Sequence, residues 1–448
     1  MKPLLHLLLL CAAIGALSFG ISRVAHAPRP NIILISIDTL RADHLSCYGY
    51  KRPTTNIDAL AKDGVLFESA ISQAPWTTAS HMSVFTSLYP SVHRVTHNAL
   101  SDVQSTLTSV FQSSGYDTAA FVEATALDPR FGFKRGFDVY QRKSDDPSAR
   151  ANNERIFQWL QSRTSSKPFF LFAHYYDVHR KYQPPPPYDR IYAPHETDVD
   201  YLITGPYGRR RSITFQQIYD IVALYDGEIR YVDDQIKNLV QFLKDHRLYQ
   251  NSMIVLIADH GEGFLDHSLL DHGNSLYQEL VHVPLIMKLP GSRYSGSRRS
   301  QTVRLVDVLP TILDYTGLKP NGLMQGNSLL PVLYGESGGT NSAYATEAVG
   351  SDMILAGGWK LIHNANLQRR MELVPLALPV EWELYNLNVD PQEFNNIAES
   401  STEKRQELGN LLQSQTTLNE KLAGRIHTEH RPLDQDTVDE LKALGYIQ

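Results

Sequence analysis

Residues 31–38 read NIILISID, a run of β-branched and apolar residues that ends in the carboxylate Asp38. A run of this length and composition predicts a buried strand, and strands buried on both faces are typical of parallel sheets. Residues 169–173 (FFLFA) and 253–258 (MIVLIA) predict two more strands of this kind. Polar residues follow both: His174, Asp177 and His179 after the first, Asp259 and His260 after the second.

Helical patterns lie between these strands: Asn56–Lys62, with Asn56 as N-cap and Gly64 as the stop, then Asn152–Ser162 and Phe215–Asp245. Strands that alternate with helices predict an α/β fold, in which a mostly parallel central sheet is sandwiched by helices. Ligands of such folds bind beyond the carboxyl ends of the strands. The polar residues at the strand ends are therefore the candidate site.

From about Ala343 the pattern changes to hairpin-like pieces (AYATEAV, MILAGGWKLIHN, EWELYNL) and a polar helix over Thr402–Leu422. This texture predicts a smaller C-terminal α+β region. We predict three parts: an export segment (1–27), a catalytic domain (28–342) and a C-terminal subdomain with a small sheet and helix (343–448).

The chain has 448 residues, of which 42% are hydrophobic and 20% charged, and its net charge is −6. Enough apolar material is present for one large domain and a smaller one. The negative charge argues against a nucleic-acid partner, because such binding depends on cations that neutralise phosphates. The basic runs 209–211 and 293–299 are interpreted as solvated loops.

The N-terminus carries Lys2, an apolar run over residues 4–21 and the small-x-small site Ala25-His26-Ala27. This pattern predicts export, through a cleaved signal peptide or through an uncleaved membrane anchor. The expected location is periplasmic or extracellular, or attached to the membrane by this segment. Cys47 has no intramolecular partner in the mature chain, since Cys11 belongs to the export segment.

Asp38, Asp259 and His260 are hard or borderline ligands that suit a divalent cation such as Zn, Mn, Mg or Ca. Helix caps and loop hydrogen bonds are the structural alternative for these residues.

Residues 74–90 (APWTTASHMSVFTSLYP) predict a strand-to-helix turn with Thr77 or Thr78 at the N-terminus of the helix. Free backbone N–H groups and the helix dipole favour an anion there, although a threonine at this position can also be a simple cap. A metal ion beside the hydroxyl would lower its pKa and make it a nucleophile.

Several blocks together resemble a bacterial sulfatase-family protein of the alkaline phosphatase superfamily. They include NIILISIDTLRADHLSCYGY, TSLYP, FFLFAHYYDVHRKYQPPPPY, IVLIADHGEGFLDH, HVPLIMKLPG and ELYNLNVDPQEFNNIA, and they run from about Pro30 to Tyr446. The resemblance implies an alkaline-phosphatase-like fold and sulfuric or phosphoric ester hydrolysis. It places the metal ligands on Asp38, Thr77, Asp259 and His260, and the catalytic residues on Thr77, His179 and His272.

The nucleophile motif departs from the sulfatase pattern. That pattern is Cys or Ser, any residue, Pro, any residue, Arg, whereas Thr77 to His81 read TTASH. Threonine cannot become formylglycine, and this departure from the family's motif argues against ordinary sulfatase turnover. Threonine is instead the nucleophile of phosphorus-handling members of the superfamily. His81 replaces the family's arginine and either bonds near Thr77 or only occupies the first turn of the helix.

Three functions remain open at this stage. The first is a metal-dependent hydrolase of sulfate or phosphate monoesters or diesters, including phosphodiesters, with a small molecule, glycan or lipid as substrate. The second is a transferase of phospho-substituents onto envelope lipids or glycans. The third is a non-catalytic glycan-binding pseudoenzyme, against which the intact metal-ligand set argues.

Other polar residues are interpreted as structural. Asp43 and His44 turn a loop, Asp233 and Asp234 form a solvated helix face and a cap, Glu262 orients the metal-site loop, and His282 enters a strand. A second metal could use Asp177 with His174, His179 or His272. Ser80 and Ser83 are the reserve hydroxyls.

Overall fold

The computed structural model describes residues 29–95, 106–143, 148–193, 214–320, 322–340, 342–374 and 379–426. The predicted export segment, residues 1–27, and the basic run 209–211 lie outside these ranges. Within them, no helix combines the length and the apolar character needed to cross a membrane.

The described chain contains fourteen strands, numbered here in chain order. They are β1 Asn31–Ile37, β2 Val65–Ile71, β3 Asp117–Val122, β4 Val139–Arg142, β5 Phe169–Tyr175, β6 Ser252–Ile257, β7 Gly263–Phe264, β8 Leu270–Asp271, β9 His282–Lys288, β10 Ser297–Arg304, β11 Ala343–Thr346, β12 Ser351–Ala356, β13 Trp359–Asn364 and β14 Trp382–Asn386.

The α-helices are α1 Thr55–Asp63, α2 Thr77–Thr86, α3 Pro90–His93, α4 Leu107–Ser113, α5 Ala149–Ser162, α6 Tyr188–Ile191, α7 Phe215–Asp245, α8 Gln278–Val281, α9 Val308–Thr316, α10 Leu330–Leu333, α11 Leu367–Leu373 and α12 Thr402–Ala423. Short 3₁₀ turns cover Ala42–His44, Ser46–Tyr48, Thr125–Leu127, Pro129–Phe131, Pro290–Ser292 and Leu305–Asp307.

Eight strands form the central sheet in the order β10-β2-β9-β6-β1-β5-β3-β4. Strand β9 runs antiparallel to both of its neighbours, and the other pairings in this sheet are parallel. The sheet is flanked by helices, among which α5 contacts β3 and β5 and α1 contacts β9. The predicted α/β class with a mostly parallel sheet is confirmed.

The sequence explains why β1 lies in the middle. All seven of its residues are buried, and β5 and β6 pair with it in parallel on either side. Burying one isoleucine or leucine side chain of β1 stabilises the fold by about 1.5–3 kcal/mol. The carboxyl ends of β6, β1 and β5 consequently meet at one edge of the sheet, where the polar residues predicted from the sequence follow.

Two local predictions need correction. Residues 297–299 belong to the edge strand β10, where Arg298 pairs with Glu68, rather than to a solvated loop. Asp233 is buried and not on a solvated face, because its carboxylate accepts the backbone N–H groups of Asn56 and Ile57 at the start of α1. It does act as a cap, as predicted.

The C-terminal region contains a separate antiparallel sheet, β11-β12-β13-β14. Helix α12 packs on it through Leu408, Leu412 and Leu422, in an apolar cluster that also contains Tyr89 and Val92. The small sheet and helix therefore share core contacts with the region that follows α2. The boundary at residues 342 and 343 stays a prediction.

Candidate active site

The two carboxylates of the site lie at the ends of neighbouring strands. Asp38 follows β1 and Asp259 follows β6, and both side chains are fully buried. The backbone N–H of Thr39 donates to Asp259 Oδ1 at 3.3 Å, which joins the two strand ends. Parallel pairing of β1 with β6 thus brings these carboxylates together.

His260 completes this group of three. Its Nε2 lies 3.4 Å from Asp259 Oδ2 and 3.7 Å from Asp38 Oδ1. Its Nδ1 donates to the Gly261 carbonyl at 2.9 Å, and this bond fixes the tautomer in which Nε2 faces the carboxylates. Ligand atoms of the three residues all lie within 4.8 Å of one another.

Thr77 places a hydroxyl against the same group. It is the first residue of α2, where the backbone N–H groups and the helix dipole favour negative charge. Thr77 Oγ1 lies 3.2 Å from His260 Nε2 and 3.5 Å from Asp38 Oδ1. The hydroxyl predicted to be the nucleophile therefore adjoins the candidate metal ligands.

The neighbouring hydroxyls are engaged in structural bonds. Thr78 Oγ1 donates to the Ala126 carbonyl at 3.0 Å, and Ser80 Oγ donates to the Asp259 carbonyl at 2.7 Å. Ser83 Oγ bonds His93 Nε2 at 3.0 Å. Geometry thus favours Thr77 over these three residues.

The chemistry of the group fits a divalent cation. Asp38 Oδ2 and Asp259 Oδ2 are buried oxygens without a hydrogen-bond partner among the described residues. Burial, and then the charge of Asp259, raise the pKa of Asp38 well above its usual value. Two buried carboxylates repel each other unless a positive charge lies between them, and two oxygens with one imidazole nitrogen suit Zn, Mn or a harder cation.

Two further imidazoles adjoin the carboxylates, one from β5 and one from α2. His174 Nε2 lies 3.2 Å from Asp38 Oδ2, and His81 Nδ1 lies 3.4 Å from Asp259 Oδ2. His81 also donates to the Thr77 carbonyl from Nδ1 at 3.0 Å and accepts from Ser36 Oγ at 2.9 Å. Burial lowers the pKa of both histidines to about 4. Of the two predicted alternatives for His81, the structure shows bonding beside Thr77.

His272 is held as a cation beside the candidate metal ligands. Its ring centroid lies 4.4 Å from that of His260. Its Nδ1 lies 3.1 Å from Glu262 Oε1 and 3.0 Å from Asp271 Oδ1. Burial opposes protonation, but these two carboxylates raise the pKa of His272 to about 9. This direction favours the protonated ring of His272 at neutral pH.

His179 has the opposite character. Its ring stacks on Tyr176 and lies 5.0 Å from the ring of His272, centroid to centroid. Burial and the charge of His272 lower the pKa of His179 well below its usual value. Nδ1 donates to the Arg180 carbonyl at 2.7 Å. The neutral ring of His179 suits a hydrogen-bonding role better than proton donation.

Among the described residues, no group with metal-ligand spacing forms around Asp177, where the sequence suggested a second metal site. Both oxygens of Asp177 accept the backbone N–H of Ala149, at 3.0 and 2.9 Å, and so cap α5. His174 instead faces Asp38. Glu262, Asp271 and His272 do form a second group with ligand spacing, but Arg180 already pairs with Asp271 at 2.6 Å.

The residues interpreted as structural make structural contacts. Asp43 pairs with Arg41 at 2.8 Å, and His44 Nδ1 bonds Asp226 at 2.6 Å. His282 opens β9 and bonds the Glu68 carbonyl through Nε2. Glu262 orients the loop as predicted, since its Oε2 also accepts from Tyr182 at 2.8 Å.

Sequence reasoning did not find the contact of His174 with Asp38, nor Arg180 as the partner of Asp271. In the β1–β5 pairing Ser36 lies opposite His174, and this register places His174 beside the end of β1, where Asp38 follows. That register can be inferred from strand periodicity only once the pairing is known. No local signal identifies Arg180, whose partner is 91 residues away.

A mostly parallel α/β sheet with this group of residues at the ends of its strands defines the class of alkaline-phosphatase-like ester hydrolases. The "Sulfatase" family model matches residues 30–318, and the model "N-sulphoglucosamine sulphohydrolase, C-terminal" matches residues 266–421. The chain therefore belongs to the sulfatase family of the alkaline phosphatase superfamily, and it is a hydrolase of sulfuric or phosphoric esters.

Curated relatives share about a quarter of its residues. The multifunctional alkaline phosphatase superfamily protein PehA of Trinickia caryophylli is 26% identical over 68% of this chain and 77% of its own length. The N-acetylglucosamine-6-O-sulfatase of Bacteroides thetaiotaomicron is 23% identical over 91% of this chain and 90% of its own.

Among solved structures, the phosphonate monoester hydrolase of Agrobacterium radiobacter superposes with a TM-score of 0.73. It is 22% identical, and the match covers 87% of this chain and 96% of that one. At this identity the match demonstrates a shared fold.

Proposed function

We propose that this protein is a metal-dependent hydrolase of sulfate or phosphate esters in which Thr77 is the nucleophile. The observation that supports this most directly is the position of Thr77 Oγ1, at 3.2 Å from His260 Nε2 and 3.5 Å from Asp38 Oδ1. Asp38, Thr77, Asp259 and His260 are the residues that would hold the cation. When bound, a divalent cation supplies Lewis acidity, which favours the threonine alkoxide and neutralises charge on the substrate.

In the first step the Thr77 oxygen, having released its proton to solvent, attacks the phosphorus or sulfur atom. A bond forms from Thr77 Oγ1 to that atom, and the bond to the ester oxygen breaks. The electron pair stays on the departing oxygen, which takes a proton from His272 Nε2. The backbone N–H groups at the start of α2 stabilise the charge on the transferred group.

In the second step water attacks the same phosphorus or sulfur atom. Its hydroxide part bonds to that atom, its proton returns to His272, and the bond to Thr77 Oγ1 breaks with the electron pair on oxygen. Inorganic phosphate or sulfate leaves, or a phosphate monoester when the substrate is a diester. The Thr77 oxygen regains a proton from solvent, and both side chains are then back in their starting states. Glu262 and Asp271 keep His272 protonated between turnovers by their contacts with Nδ1.

We propose that phosphorus esters turn over faster than sulfate esters. A hydrated formylglycine can expel sulfate by breaking a carbon–oxygen bond, whereas a sulfated threonine has to be opened by water at sulfur. Phosphothreonine is instead opened by in-line attack at phosphorus, which cationic donors stabilise.

The natural substrate is proposed to be a sulfated or phosphorylated small molecule, glycan or lipid outside the cytoplasm, reached through export by the N-terminal segment. Sulfated sugars are named for relatives such as the N-acetylglucosamine-6-O-sulfatase, which makes sulfated glycans the first natural candidates to assay.

The experiment is hydrolysis of p-nitrophenyl phosphate, bis-p-nitrophenyl phosphate and p-nitrophenyl sulfate by the protein, with EDTA and with added Mn or Zn. We expect metal-dependent turnover, fastest on a phosphorus ester. Turnover of the sulfate ester alone would contradict the preference for phosphorus. Full activity after removal of metal would contradict the role given to the four ligands.

A further inference from the structure

The loop that carries His272 is enclosed by the C-terminal subdomain. This histidine loop, residues 265–278, connects β7 to α8 and includes β8. Leu276 and Tyr277 are buried in one apolar cluster with residues of β11, β12, β13 and β14, among them Met353, Ile362 and Tyr385. The histidine loop thus packs against a different sheet from the one that bears Asp38 and Asp259.

Arg370 of α11 holds the loop close to His272. Its Nη1 donates to the Asn274 carbonyl at 3.3 Å, two residues after His272. Arg370 is buried, and the same nitrogen donates to Glu347 Oε1 at 3.4 Å and to Ser351 Oγ at 3.2 Å. The guanidinium is therefore fixed by its own subdomain while it bonds to the loop.

Glu393 supplies a second point of attachment. Its carboxylate accepts the backbone N–H of Gln278 at 2.6 Å, and its carbonyl accepts from His267 Nε2 at 3.1 Å. The carboxylate is held by Lys360 of β13 at 2.7 Å, and both side chains of that pair are fully buried. Removing one partner of a buried ion pair strongly lowers the free energy of unfolding, so the Lys360–Glu393 pair keeps the Glu393 carboxylate in place.

Tyr277 adds a third contact with the same subdomain. Its hydroxyl donates to Glu383 Oε2 of β14 at 2.6 Å, and the Tyr385 hydroxyl donates to the same oxygen at 2.7 Å. Residues 267, 274, 277 and 278 are thus tied to the C-terminal subdomain on both sides of His272. His272 Nδ1 lies close to the carboxylates of Glu262 and Asp271.

From these contacts we infer that the C-terminal subdomain positions His272 beside the candidate metal ligands, and that Arg370 is a positioning residue for His272. The inference rests on the proposed function, since it takes His272 as a catalytic residue. A displacement of about 1 Å can cost about 10²-fold in rate, even when the substituted residue is far from the reacting atoms. Release of the Asn274 carbonyl would let the backbone beside His272 shift on that scale.

The kinetic test is Arg370→Gln, with Arg369→Gln as the matched control because Arg369 is the exposed neighbour on the same helix. We expect Arg370→Gln to lower kcat about tenfold or more, with KM within about twofold and the metal content unchanged. Arg370→Lys should recover part of the rate, because an ammonium group can still donate to the Asn274 carbonyl. An unchanged kcat in folded Arg370→Gln would overturn the inference.

Hydrogen exchange tests whether the C-terminal subdomain holds the histidine loop in place, without measuring activity. Backbone amides of residues 272–278 should exchange faster in Arg370→Gln than in the wild type, while those of β6 keep their rates. Tyr277→Phe, which keeps the apolar ring and removes only the bond to Glu383, should give a smaller change in the same residues and serves if Arg370→Gln does not fold. Unchanged exchange across residues 272–278 in both variants would refute the claim that the C-terminal subdomain holds the histidine loop in place. The exchange rates do not depend on whether Thr77 is the nucleophile. A failure of the positioning inference can therefore be distinguished from a failure of the proposed function.

Discussion

Replacing Thr77 and Thr78 separately should divide catalysis from stability. Thr77→Ala removes the oxygen that faces His260 Nε2 at 3.2 Å and Asp38 Oδ1 at 3.5 Å. Thr78→Ala removes an oxygen that donates to the Ala126 carbonyl at 3.0 Å. Both side chains are fully buried and are adjacent in α2, so each variant is the control for the other.

The expected magnitudes follow from these contacts. Loss of the Thr78 bond leaves a buried carbonyl without that donor, which costs about 1–3 kcal/mol of unfolding free energy and leaves kcat/KM within about threefold. Loss of the Thr77 oxygen should lower kcat/KM by at least about 10⁴-fold, equivalent to about 5.4 kcal/mol at about 1.36 kcal/mol per factor of ten. Its effect on unfolding should be smaller than that of Thr78→Ala, since its contacts lie within the site.

The assay combines kcat/KM on bis-p-nitrophenyl phosphate at saturating Mn with the urea midpoint of each variant. Ser80→Ala belongs in the same series, because Ser80 donates to the Asp259 carbonyl at 2.7 Å and should behave like Thr78. Equal losses of activity in Thr77→Ala and Thr78→Ala would refute the reasoning. So would a Thr77→Ala enzyme that keeps more than about a tenth of the activity.

Two further predictions concern protons. His272→Gln should lower kcat on alkyl esters by about 10²–10⁴-fold. The loss on p-nitrophenyl esters should be smaller, because p-nitrophenolate departs without a proton. Equal losses in steady-state rates on both ester types would contradict this role of His272. Burial and the charge of Asp177 raise the pKa of Glu123 from 4.5 to about 8, so the folded state favours the neutral acid. The stability this contributes is complete below pH 4.5 and is lost as pH rises through about 8. Glu123→Gln removes this titration, so the Tm of the variant minus the Tm of the wild type should increase between pH 6 and pH 9. A Tm difference that stays constant over this range would contradict the prediction.

The centre of the site could be predicted from the sequence because it depends on local rules. Three buried runs had to form adjacent parallel strands, and the residues that follow such strands lie together. Asp38, Asp259 and His260 therefore appear together in the structure. Thr77 was predictable by the same logic, as the first residue of a helix that begins at the edge of the sheet.

The rest depends on contacts between distant segments. Burial lowers the pKa of His272, and Glu262 and Asp271 together raise it. The Asp271 carboxylate is held in turn by Arg180, which is 91 residues away along the chain. Arg370 reaches the histidine loop across 96 residues. Periodicity and caps carry no information about such pairs, because each depends on how loops close over the sheet.

The prediction of a solvated loop at residues 297–299 failed for a related reason. The charged residues at 297–299 resemble a solvated loop, but an edge strand also exposes alternate side chains, and β10 does so at Arg298. Its pairing with β2 is stabilised by backbone hydrogen bonds and the Arg298–Glu68 pair, neither of which requires an apolar run.

The central claim is that Thr77 becomes covalently attached to the transferred group. The most direct measurement is peptide mass spectrometry of the protein quenched with acid during turnover of bis-p-nitrophenyl phosphate. We predict a substrate-derived phosphoryl adduct on the peptide that contains Thr77, assigned by fragmentation to Thr77 and absent from Thr77→Ala. An adduct on another residue, or none in an enzyme that shows a burst of p-nitrophenol, would contradict the claim.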